Sequence, residues 1–597
     1  MLIILNINLT LKITQLFKIK IFMFHLGINY YGHDTSVALF KGDKLIFAIE
    51  EERLTRKKHD ASLPLKSIEY VTKKFKLNNK NVKSVNFATI PERILSKKHI
   101  DFYLDNEKEI DFFETKSNQK KLNYLLNVRS ILKKKIKFNC EFNFHHHHLC
   151  HQYGAYYLSG FKSAACFSID GLGEIESMCY GTAKNNKVKI FKSLNYPNSL
   201  GETYTAVTDY LGYTPESSEG TVMALAALGN KNANVPGKKK TFYDFFKEII
   251  KIDNKYFNIN LEWFDFWRRR KTLRVSRKFT KIFGKKEKSK KISENKKNIA
   301  AALQARFEDA YISLIENLLR ITKEKNLVIS GGCALNCKAN GSIKKKFNLK
   351  RIYIQPAAGD NGLAVGAAYA GFLKFNNYRK NNFKEVEHSY FGPAFTNSEI
   401  KKYLNKNRSK INYKYITNIE KYSANLLKQK KILGWFQGRM EFGPRALGNR
   451  SILASPTDIS VKDRLNRDIK NREYFRPFAP AVLKEKVNKI FNLSFKSPFM
   501  LIASKLKVKK PLNFPAILHY DNTARVQAVE KKTNKRFYKL INQFYKITKV
   551  PMLLNTSFNG KGEPIVCNPQ DAISCFLKNK MDYLILGNYF VQKRSKN

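Results

Sequence analysis

The amino-acid sequence predicts an α/β protein, and three observations support this fold class. The segment from Asn298 to Thr322 carries Ala, Leu and Phe at helical spacing, and it leads into an apolar strand, LVISGGCALN, that breaks at two glycines. A second strand, RIYIQPAAGDNG, ends in a Pro/Gly loop, and the small-residue helix LAVGAAYAGF follows it. The repeated order of strand, glycine loop and helix is typical of α/β architectures that bind ligands at the loop ends.

Three further strands are predicted near the start of the chain. Residues Phe24 to Glu50 alternate apolar runs with tight turns. The loop GHDTS, residues 32–36, lies between the first two of these strands and offers free backbone amides beside small hydroxyls. It is a candidate anion or nucleotide contact, although most loops of this kind are only turns.

The first 22 residues are apolar and resemble a signal or an anchor. Lys12, Lys18 and Lys20 interrupt them, so the longest uncharged run is too short to span a bilayer. No small-residue cleavage site follows them. We therefore expect residues 1–22 to be an extended start, with Met23 as the true first residue, and we expect no membrane-spanning segment.

The composition describes a large and strongly basic chain. Of its 597 residues 43% are hydrophobic, which suffices for a substantial core and excludes a wholly disordered protein. The 109 Lys and Arg against 49 Asp and Glu give a formal net charge of +60. Such a charge points to nucleic acid or an anionic membrane. Because Lys, Asn and Ile are abundant throughout, we favour an AT-rich coding bias as its main cause.

Residues 231–292 form the least regular part of the chain. They hold GKKK, RRRK and GKKEKSKK between aromatic residues, a pattern that could bind nucleic acid. We favour the alternative that they are an insertion with a basic surface that covers the substrate. The thin polar stretch Asn376–His388 is the predicted domain boundary.

Cysteine usage indicates a reducing compartment. The chain has eight cysteines, none of them in a CxxC pair, so neither a zinc ribbon nor a disulfide scaffold is predicted. Reduced thiols and a cytoplasmic location are expected.

A run of histidines is the first candidate for metal binding. HHHHLCH occupies residues 145–151 and precedes a helical segment. His147 and His151 are spaced i, i+4, so both imidazoles project from one helical face, as metal ligands do. His148 with His151, at i, i+3, fits as well. The competing interpretation is an exposed polar run.

Two aspartates follow strands and precede glycine loops. Asp170 ends AACFSIDGLGE, and Asp360 lies in PAAGDNG. Each could be a loop cap, and spacing alone does not join them to the histidines. A site of two His and two Asp would suit Fe(II), Mn or Mg better than a thiolate-preferring metal.

The C-terminal half carries the densest set of basic motifs. They read GWFQGRMEFGPRALGNRSILASP, NRDIKNREYFRPFAPAVL, HYDNTARVQ and LLNTSFNGKGEPIV. Their cations are Arg439, Arg445, Arg450, Lys470, Arg472, Arg476 and Arg525. Because Pro, Gly and aromatic residues flank them, we expect a site for a polyphosphate and a second anion rather than scattered structural salt bridges.

Together these motifs resemble the NodU/CmcH-type O-carbamoyltransferases. In family order from about residue 24, the shared motifs are GINYYGHDTSVALF, EEERLTRKKHD, HHLCH, SIDGLGE, EGTVMALAALG, SGGCALN, PAAGDNG, GRMEFGPRALGNRS, KNREYFRPFAP, HYDNTARVQ and NTSFNGKGEPIV. The resemblance implies an actin/Hsp70-like (ASKHA) two-lobed domain over residues 23–380, with 231–292 as an insertion. It implies a YrdC-like α/β domain over residues 390–597.

The resemblance also implies a reaction in two steps. Carbamoyl phosphate and ATP, the latter with Mg, would give carbamoyl-adenylate in the C-terminal domain. The two anionic substrates, ATP and carbamoyl phosphate, would be held by Arg445, Lys470, Arg476, Arg525, Asn555 and Ser557. Arg445 and Lys470 would act catalytically there by stabilising developing charge.

The second implied step transfers the carbamoyl group to a hydroxyl of a sugar or natural product. Fe(II) or another divalent metal would be held by His147, His151, Asp170 and Asp360, and His33 would assist as an acid or base. No membrane or nucleic-acid partner is expected, and a homodimer is left open.

The chain departs from the family pattern at a few positions. Thr221 and Ala224 replace the usual Lys and Gly of a GKVMGLA-like segment, and Asn522 replaces a Gly. These changes bear on the choice of acceptor and leave the metal and phosphate ligands in place.

Three alternative functions remain at the level of sequence. They are a tRNA threonylcarbamoyl-transfer enzyme, supported by the ASKHA motifs and the charge; a non-enzymatic nucleic-acid-binding protein that uses residues 231–292; and an ASKHA sugar kinase that transfers the γ-phosphate of ATP.

Overall fold

The protein is described here from a computed structural model. The structure describes residues 23–30, 32–94, 116–136, 138–253, 256–268, 274–287, 292–376, 384–493, 495–507 and 514–594. The expected extended start, residues 1–22, lies outside this part of the chain. So do most of the predicted boundary 376–388 and part of the basic motifs RRRK and GKKEKSKK.

The first lobe is built on a five-stranded sheet. Its strands are β1 (Phe24–Asn29), β2 (Ser36–Lys41), β3 (Lys44–Glu50), β4 (Val82–Phe87) and β5 (Glu141–Phe144). Their order is β3-β2-β1-β4-β5; β1, β2 and β3 are antiparallel neighbours, whereas β4 and β5 run parallel to β1. The three strands predicted for residues 24–50 are therefore confirmed.

The second lobe repeats this topology. The strands that follow are β6 (Ser163–Ile169), β7 (Glu176–Lys184), β8 (Lys187–Asn195), β9 (Ile250–Ile252), β10 (Phe257–Ile259), β11 (Asn326–Ser330) and β12 (Arg351–Ile354). The order of its sheet is β12-β11-β6-β7-β8, again with three antiparallel and two parallel strands, while β9 and β10 pair separately. No internal repeat is visible in the sequence, yet the fold is duplicated. The expected two-lobed arrangement is thus confirmed.

The third unit is a separate α/β layer. Its strands are β13 (Ile411–Tyr415), β14 (Leu433–Phe436), β15 (Arg450–Ala454), β16 (Ala479–Leu483), β17 (Ala503–Lys505), β18 (Thr523–Arg525), β19 (Gln527–Val529), β20 (Met552–Ser557), β21 (Tyr583–Leu586) and β22 (Tyr589–Lys593). Eight of them form one mixed sheet in the order β13-β22-β21-β14-β15-β20-β16-β19. The sheet buries apolar side chains on both faces, as a sheet with helices on both sides requires.

Helices cover the sheets. In chain order they are α1 (Glu51–Thr55), α2 (Leu65–Phe75), α3 (Pro91–Ile94), α4 (Lys116–Ile136), α5 (His147–Ser159), α6 (Leu200–Tyr210), α7 (Glu219–Leu225), α8 (Phe242–Ile249), α9 (Arg277–Phe283), α10 (Glu294–Thr322), α11 (Cys337–Lys346), α12 (Leu363–Phe375), α13 (Asn397–Lys406), α14 (Ile419–Lys428), α15 (Ile459–Arg464), α16 (Lys484–Ile490), α17 (Lys535–Thr548) and α18 (Pro569–Lys578). The helix predicted from Asn298 to Thr322 is the body of α10.

The helices α5 and α12 pack between the lobes and bring the loops of both sheets together. α12 contacts β1 and α5 so closely that small residues are required. A Cβ at Gly27 would collide with the Ala364 carbonyl, and a Cβ at Gly366 would collide with the Cys150 carbonyl. This packing fixes the start of α5 against the loop that precedes α12.

The basic insertion is packed on the second lobe. Its aromatic residues Trp263, Phe279 and Phe283 form a buried group, and Tyr210 of α6 donates to the Phe283 carbonyl.

Within the described residues no helix has the length and apolar character needed to cross a bilayer. All eight cysteines are free thiols, as predicted.

Candidate metal centre and anion site

The histidine run lies at the start of α5. His146 caps this helix, because its ring nitrogen accepts the Leu149 amide at 3.2 Å. His147 and His151 are then one turn apart and both are buried. The predicted exposed alternative is therefore not what the structure has.

The two histidines meet two aspartates from separate strand ends. Nε2 of His151 lies 2.9 Å from Oδ2 of Asp170 and 3.7 Å from Oδ1 of Asp360. Nε2 of His147 lies 3.8 Å from the same Asp170 oxygen and 3.7 Å from the same Asp360 oxygen. One donor atom from each of the four side chains lies within 4.8 Å of the others. The structure thus joins side chains that sequence spacing alone could not join.

The electrostatics of this cluster favour a cation. Burial lowers the pKa of His147, but the nearby carboxylates of Asp170 and Asp360 outweigh it and raise that pKa to about 9. Burial opposes the charge of Asp170 too, yet the two histidines hold its pKa well below the usual range. Two buried carboxylates here attract positive charge.

One buried nitrogen of the cluster lacks a hydrogen-bond partner, and this bears on whether a metal fits there. Nε2 of His147 is buried and has no hydrogen-bond partner among the described residues, although it faces both carboxylates. A buried ring nitrogen without a partner is costly, and coordination would satisfy it. Two imidazole nitrogens and two carboxylate oxygens form the N/O donor set that Fe(II), Mn or Zn accepts. The four residues therefore fit a divalent metal.

The neighbouring histidines are engaged elsewhere. Nδ1 of His148 lies 3.0 Å from the Ser168 hydroxyl and its Nε2 lies 3.0 Å from the Glu176 carbonyl. Burial and the adjacent histidines hold its pKa well below the usual value, so it stays neutral. The alternative pair of His148 with His151 is therefore not formed.

The GHDTS loop borders this cluster. The Ser36 hydroxyl donates to the carbonyl of Asn361 at 2.7 Å, which places the loop beside Asp360. The side chain of His33 is 43% exposed and its Nδ1 lies 3.1 Å from Oδ2 of Asp34. Partial burial opposes a charge on His33, but Asp34, Asp360 and Asp170 raise its pKa. His33 thus lies at the edge of the cluster, where the neighbouring carboxylates favour its protonated form.

The basic motifs of the third unit converge on a second site. Burial, together with the charges of Arg525 and Arg476, lowers the pKa of Arg445 to about 9. The Nε atoms of Arg445 and Arg525 are buried and lack a hydrogen-bond partner among the described residues. Guanidinium groups that repel one another and keep buried Nε donors unused favour the binding of an anion.

Lys470 reaches the end of β20. Its Nζ donates to the Ser557 carbonyl at 2.6 Å and to Oδ1 of Asn559 at 2.7 Å. Burial and the charges of Arg472 and Arg476 lower its pKa to about 7. Lys470 and Ser557 are therefore neighbours in the structure.

Asn555 lies two residues before Ser557 on β20. Its Nδ2 donates to the Ala446 carbonyl at 3.2 Å, next to Arg445, and its Oδ1 has no hydrogen-bond partner in the described chain. Arg476, whose nearest carboxylate is that of Glu473 at 4.0 Å, completes the predicted set. The structure brings all six predicted anion-binding residues to one region of the third unit.

Two arginines of the basic motifs are structural. Arg450 is fully buried over the Phe436 ring, 3.6 Å from its centroid, and donates to the Gln437 carbonyl at 2.6 Å. Arg439 donates to the Ile46 carbonyl of the first lobe at 2.8 Å. Neither belongs to the anion site that the sequence suggested for the whole set.

Sequence reasoning missed His519, a neighbour of the anion site, whereas Arg472 was already among the cations of the basic motifs. Arg472 donates to Oδ1 of Asn466 at 2.8 Å, and its pKa is well below the ordinary value because of burial and the charge of Arg476. Burial and the charges of Arg525 and Lys338 lower the pKa of His519 to about 3. His519 lies in HYDNTAR, so the motif held a signal for it. Asn522 in this motif has φ 58°, the left-handed conformation that explains why a Gly is usual there.

A buried acidic residue joins the two sites. Oε1 of Glu50 accepts the Gly443 amide at 2.7 Å, from the loop that carries Arg445, and accepts Nδ2 of Asn361 at 3.3 Å, beside Asp360. Arg53 lies 3.3 Å from the same oxygen and also donates to the Gly443 carbonyl at 3.1 Å. The loop that carries Asp360 and the loop that carries Arg445 are thus held by one carboxylate.

Comparison with known proteins gives a consistent family. The model described as "Carbamoyltransferase N-terminus" matches residues 25–369, and "Carbamoyltransferase C-terminus" matches residues 424–593. The chain is 31% identical over 583 residues to nodulation protein NolNO of Sinorhizobium fredii, covering 95% of this chain and 80% of that protein. It is 36% identical over 609 residues to an uncharacterized Synechocystis protein, sll1178, covering 96% of this chain and 97% of that protein.

Similar solved structures are more distant. They include component A of the Acidaminococcus fermentans (R)-2-hydroxyglutaryl-CoA dehydratase, with 14% identity and a TM-score of 0.32 over 59% of this chain and 98% of that chain. HypF of T. kodakarensis has 13% identity and a TM-score of 0.30 over 61% of this chain and 50% of that chain. Scores of this size carry no argument about function.

Proposed function

The chain belongs to the carbamoyltransferase family whose N- and C-terminal models it matches, and from this premise we propose that it is an ATP-dependent O-carbamoyltransferase. Carbamoyl phosphate and ATP are its proposed donors, and a hydroxyl of a sugar or natural product is its proposed acceptor. The observation that carries the proposal is the anion site with its unpaired guanidinium donors, held by Glu50 against a His/Asp cluster.

The anion site is proposed to form carbamoyl-adenylate. Atom balance requires one water: carbamoyl phosphate gives carbamate and phosphate, and a carbamate oxygen then displaces pyrophosphate from the α-phosphorus of ATP. Two phosphorylated reactants repel each other, so buried cations must offset that charge before the reactants can meet. Half-buried Arg445 and Arg525 and buried Lys470 would supply fixed donors to developing charge, and such donors act more strongly as water is displaced.

The His/Asp cluster is proposed to serve the transfer step. His147, His151, Asp170 and Asp360 would hold a divalent metal, with Fe(II) as the family-like choice. A bound divalent metal supplies Lewis acidity, which polarises a carbonyl oxygen or lowers the pKa of a hydroxyl. His33 borders the cluster and can take up or release a proton there.

The two sites are proposed to share a sheltered route. Carbamoyl-adenylate is a mixed anhydride that water destroys, so it must pass between them without entering solvent. Glu50 and Arg53 hold the loops of both sites together and keep them buried at that junction. The proposal therefore treats the two units as one catalytic body.

Pyrophosphate release tests this function. The wild type should release pyrophosphate from ATP only when carbamoyl phosphate is present. Arg445→Ala and Lys470→Ala should each lower that rate by about 10²–10³, the usual loss for one contact to developing charge. Arg467→Ala is the matched control, because Arg467 lies in the same unit with its side chain 71% exposed.

The products separate the alternatives. Formation of ADP without pyrophosphate would indicate a sugar kinase instead. Carbamoyl-phosphate-independent activity, or unchanged rates in both variants, would overturn the proposal.

A further inference from the structure

Three side chains beside the metal cluster form a hydrogen-bond relay. The Ser217 hydroxyl lies 3.0 Å from Nε2 of His59, and Nδ1 of His59 lies 2.8 Å from Oδ1 of Asp34. The residues come from three separate segments, so no sequence spacing announces the arrangement. A hydroxyl on Nε2 and a carboxylate on Nδ1 is the constellation that activates a serine nucleophile.

The Asp34 carboxylate fixes the tautomer of His59. Asp34 accepts from Nδ1 of His59, so that nitrogen carries the proton and Nε2 is left with a lone pair toward Ser217. Asp34 also lies 3.1 Å from the ring of His33, which gives the carboxylate a second partner. Nε2 of His59 therefore accepts a hydrogen bond from the Ser217 hydroxyl, as a base accepts from a nucleophile.

The backbone of the relay is held in an uncommon conformation. Asp34, His59 and Glu216, the residue before Ser217, have φ of 57°, 54° and 62°. Left-handed non-glycine residues persist only where the surroundings impose them, and they cluster at functional sites. The relay is thus preorganised rather than a chance contact between mobile side chains.

Specific contacts impose that conformation. The His59 amide donates to Oε2 of Glu52 at 2.8 Å. On the other side, Arg274 of the basic insertion donates to Glu216 at 2.6 Å and to Glu202 at 3.2 Å. The insertion therefore positions the loop that carries Ser217, which gives it a role that its charge alone did not suggest.

The relay lies at the mouth of the metal cluster. A Cβ on Gly32 would be 3.6 Å from Oδ2 of Asp360, so the loop that carries Asp34 touches the cluster. The side chain of His59 is 35% exposed and that of Asp34 is 27% exposed. A small reactant can reach the relay from outside and still contact the cluster.

Asp34, Glu52 and His59 could also be considered as metal ligands, since one donor atom of each lies within 4.8 Å of the others. Both ring nitrogens of His59 are hydrogen-bonded, to Asp34 and to Ser217. Both carboxylate oxygens of Asp34 are likewise used by His33 and His59. The donors are satisfied without an ion, which favours the relay over a second metal.

We propose that Ser217 is a nucleophile that accepts the carbamoyl group before the final acceptor does. This inference rests on the proposed function, since its donor is carbamoyl-adenylate. Oγ of Ser217 forms a bond to the carbamoyl carbon while its proton moves to Nε2 of His59. The bond from that carbon to the phosphate oxygen breaks, AMP leaves as an anion, and the proton passes from His59 to solvent.

The second half of the cycle regenerates the serine. The acceptor hydroxyl attacks the carbamoyl carbon and gives its proton to Nε2 of His59. His59 then returns that proton to Oγ of Ser217 as the carbon–oxygen bond to the serine breaks. The net change is transfer of one carbamoyl group from carbamoyl-adenylate to the acceptor, with release of AMP and one proton.

Acceptor-free labelling tests the inference. The full chain is incubated with ATP and [¹⁴C]carbamoyl phosphate, quenched in acid and digested, and pyrophosphate is measured in the same tube. We expect one carbamoyl group on the peptide that contains Ser217, formed only with ATP. Ser217→Ala should lose the label, and His59→Gln should form it about 10²–10⁴ times more slowly. Ser218→Ala is the matched control, because the adjacent side chain makes no capping hydrogen bond, and it should label as the wild type does.

The outcomes separate this inference from the function beneath it. Pyrophosphate without label on Ser217 would overturn the nucleophile and leave the adenylation proposal standing. Label on Ser217 without ATP would also overturn it, because free carbamoyl phosphate or its breakdown product would then be the donor. No pyrophosphate and no label in the wild type would overturn both.

Discussion

At the scale of single residues, the His/Asp cluster leads to a prediction about metal content. His151→Ala should lower the bound metal and abolish transfer to sugar hydroxyls, because it removes one of four donors that meet in one place. Pyrophosphate release should persist, since all of its proposed residues lie beyond Gly434. The measurements are elemental analysis of the purified protein and both half-reactions, with a panel of sugars as acceptors.

The His151→Ala experiment has one control variant and two outcomes that would contradict it. His388→Gln changes a histidine that lies outside the cluster and whose Nδ1 accepts the Tyr390 amide at 3.2 Å, so the variant should keep the metal. Equal metal and equal transfer in His151→Ala would remove the proposed role of the cluster. Loss of both half-reactions together would show that the metal is structural.

A second residue-scale prediction concerns acid stability. The pKa of His519 falls to about 3 in the folded chain, through burial and the charges of Arg525 and Lys338, against an ordinary value near 6.5. Between these values the unfolded chain binds the extra proton and the folded chain does not, so stability falls as pH drops from about 6.5 toward 3. One such group contributes at most about 1.4 kcal/mol per pH unit.

Urea unfolding at several pH values measures this slope. His519→Gln should make the free energy of unfolding less dependent on pH in the acidic range. Pyrophosphate should have a similar effect in the wild type, because an anion near Arg525 offsets the charges that disfavour protonation. An unchanged slope in the variant would show that His519 is not the titrating group.

At the scale of elements, the junction of α1 with the loop before β15 should control stability. Arg53 is 4% exposed and pairs with both Glu50 and Glu52. Arg53→Met leaves two buried carboxylates without their cation, which typically costs about 3–5 kcal/mol. Urea unfolding of the full chain measures the loss. The double variant with Glu50→Gln should recover part of it, and an equally unstable double variant would contradict the ion-pair explanation.

At the scale of the whole molecule, the contact between units should protect the intermediate. Arg439 of the third unit donates to the Ile46 carbonyl of the first lobe. Arg439→Met should loosen that contact and let carbamoyl-adenylate escape. With hydroxylamine as a trap, the variant should form more hydroxyurea for each pyrophosphate than the wild type does. Equal ratios would argue against a sheltered route.

The sequence predicted local features better than distant contacts. His147 and His151 could be paired from their spacing, whereas their union with Asp170 and Asp360 came only from the family resemblance. Glu50 escaped notice because its partner Gly443 is 393 residues away, and no local pattern encodes such a contact. The relay of Ser217 was missed for the same reason. The predicted domain limits and the roles of the site residues stay predictions.

Several arginines at the junction between units donate hydrogen bonds to main-chain carbonyl oxygens. Arg56 donates to the carbonyls of Pro564 and Ile565 at 2.8 and 2.6 Å, and Arg439 and Arg53 likewise reach carbonyls of the opposite unit. A carbonyl is present whatever side chain its residue carries. Sequence drift on the accepting side therefore leaves these bonds intact, so units from diverged relatives should still dock. Chimeras that exchange the third unit should be a practical way to graft one donor-activating half onto a transfer half with another acceptor range.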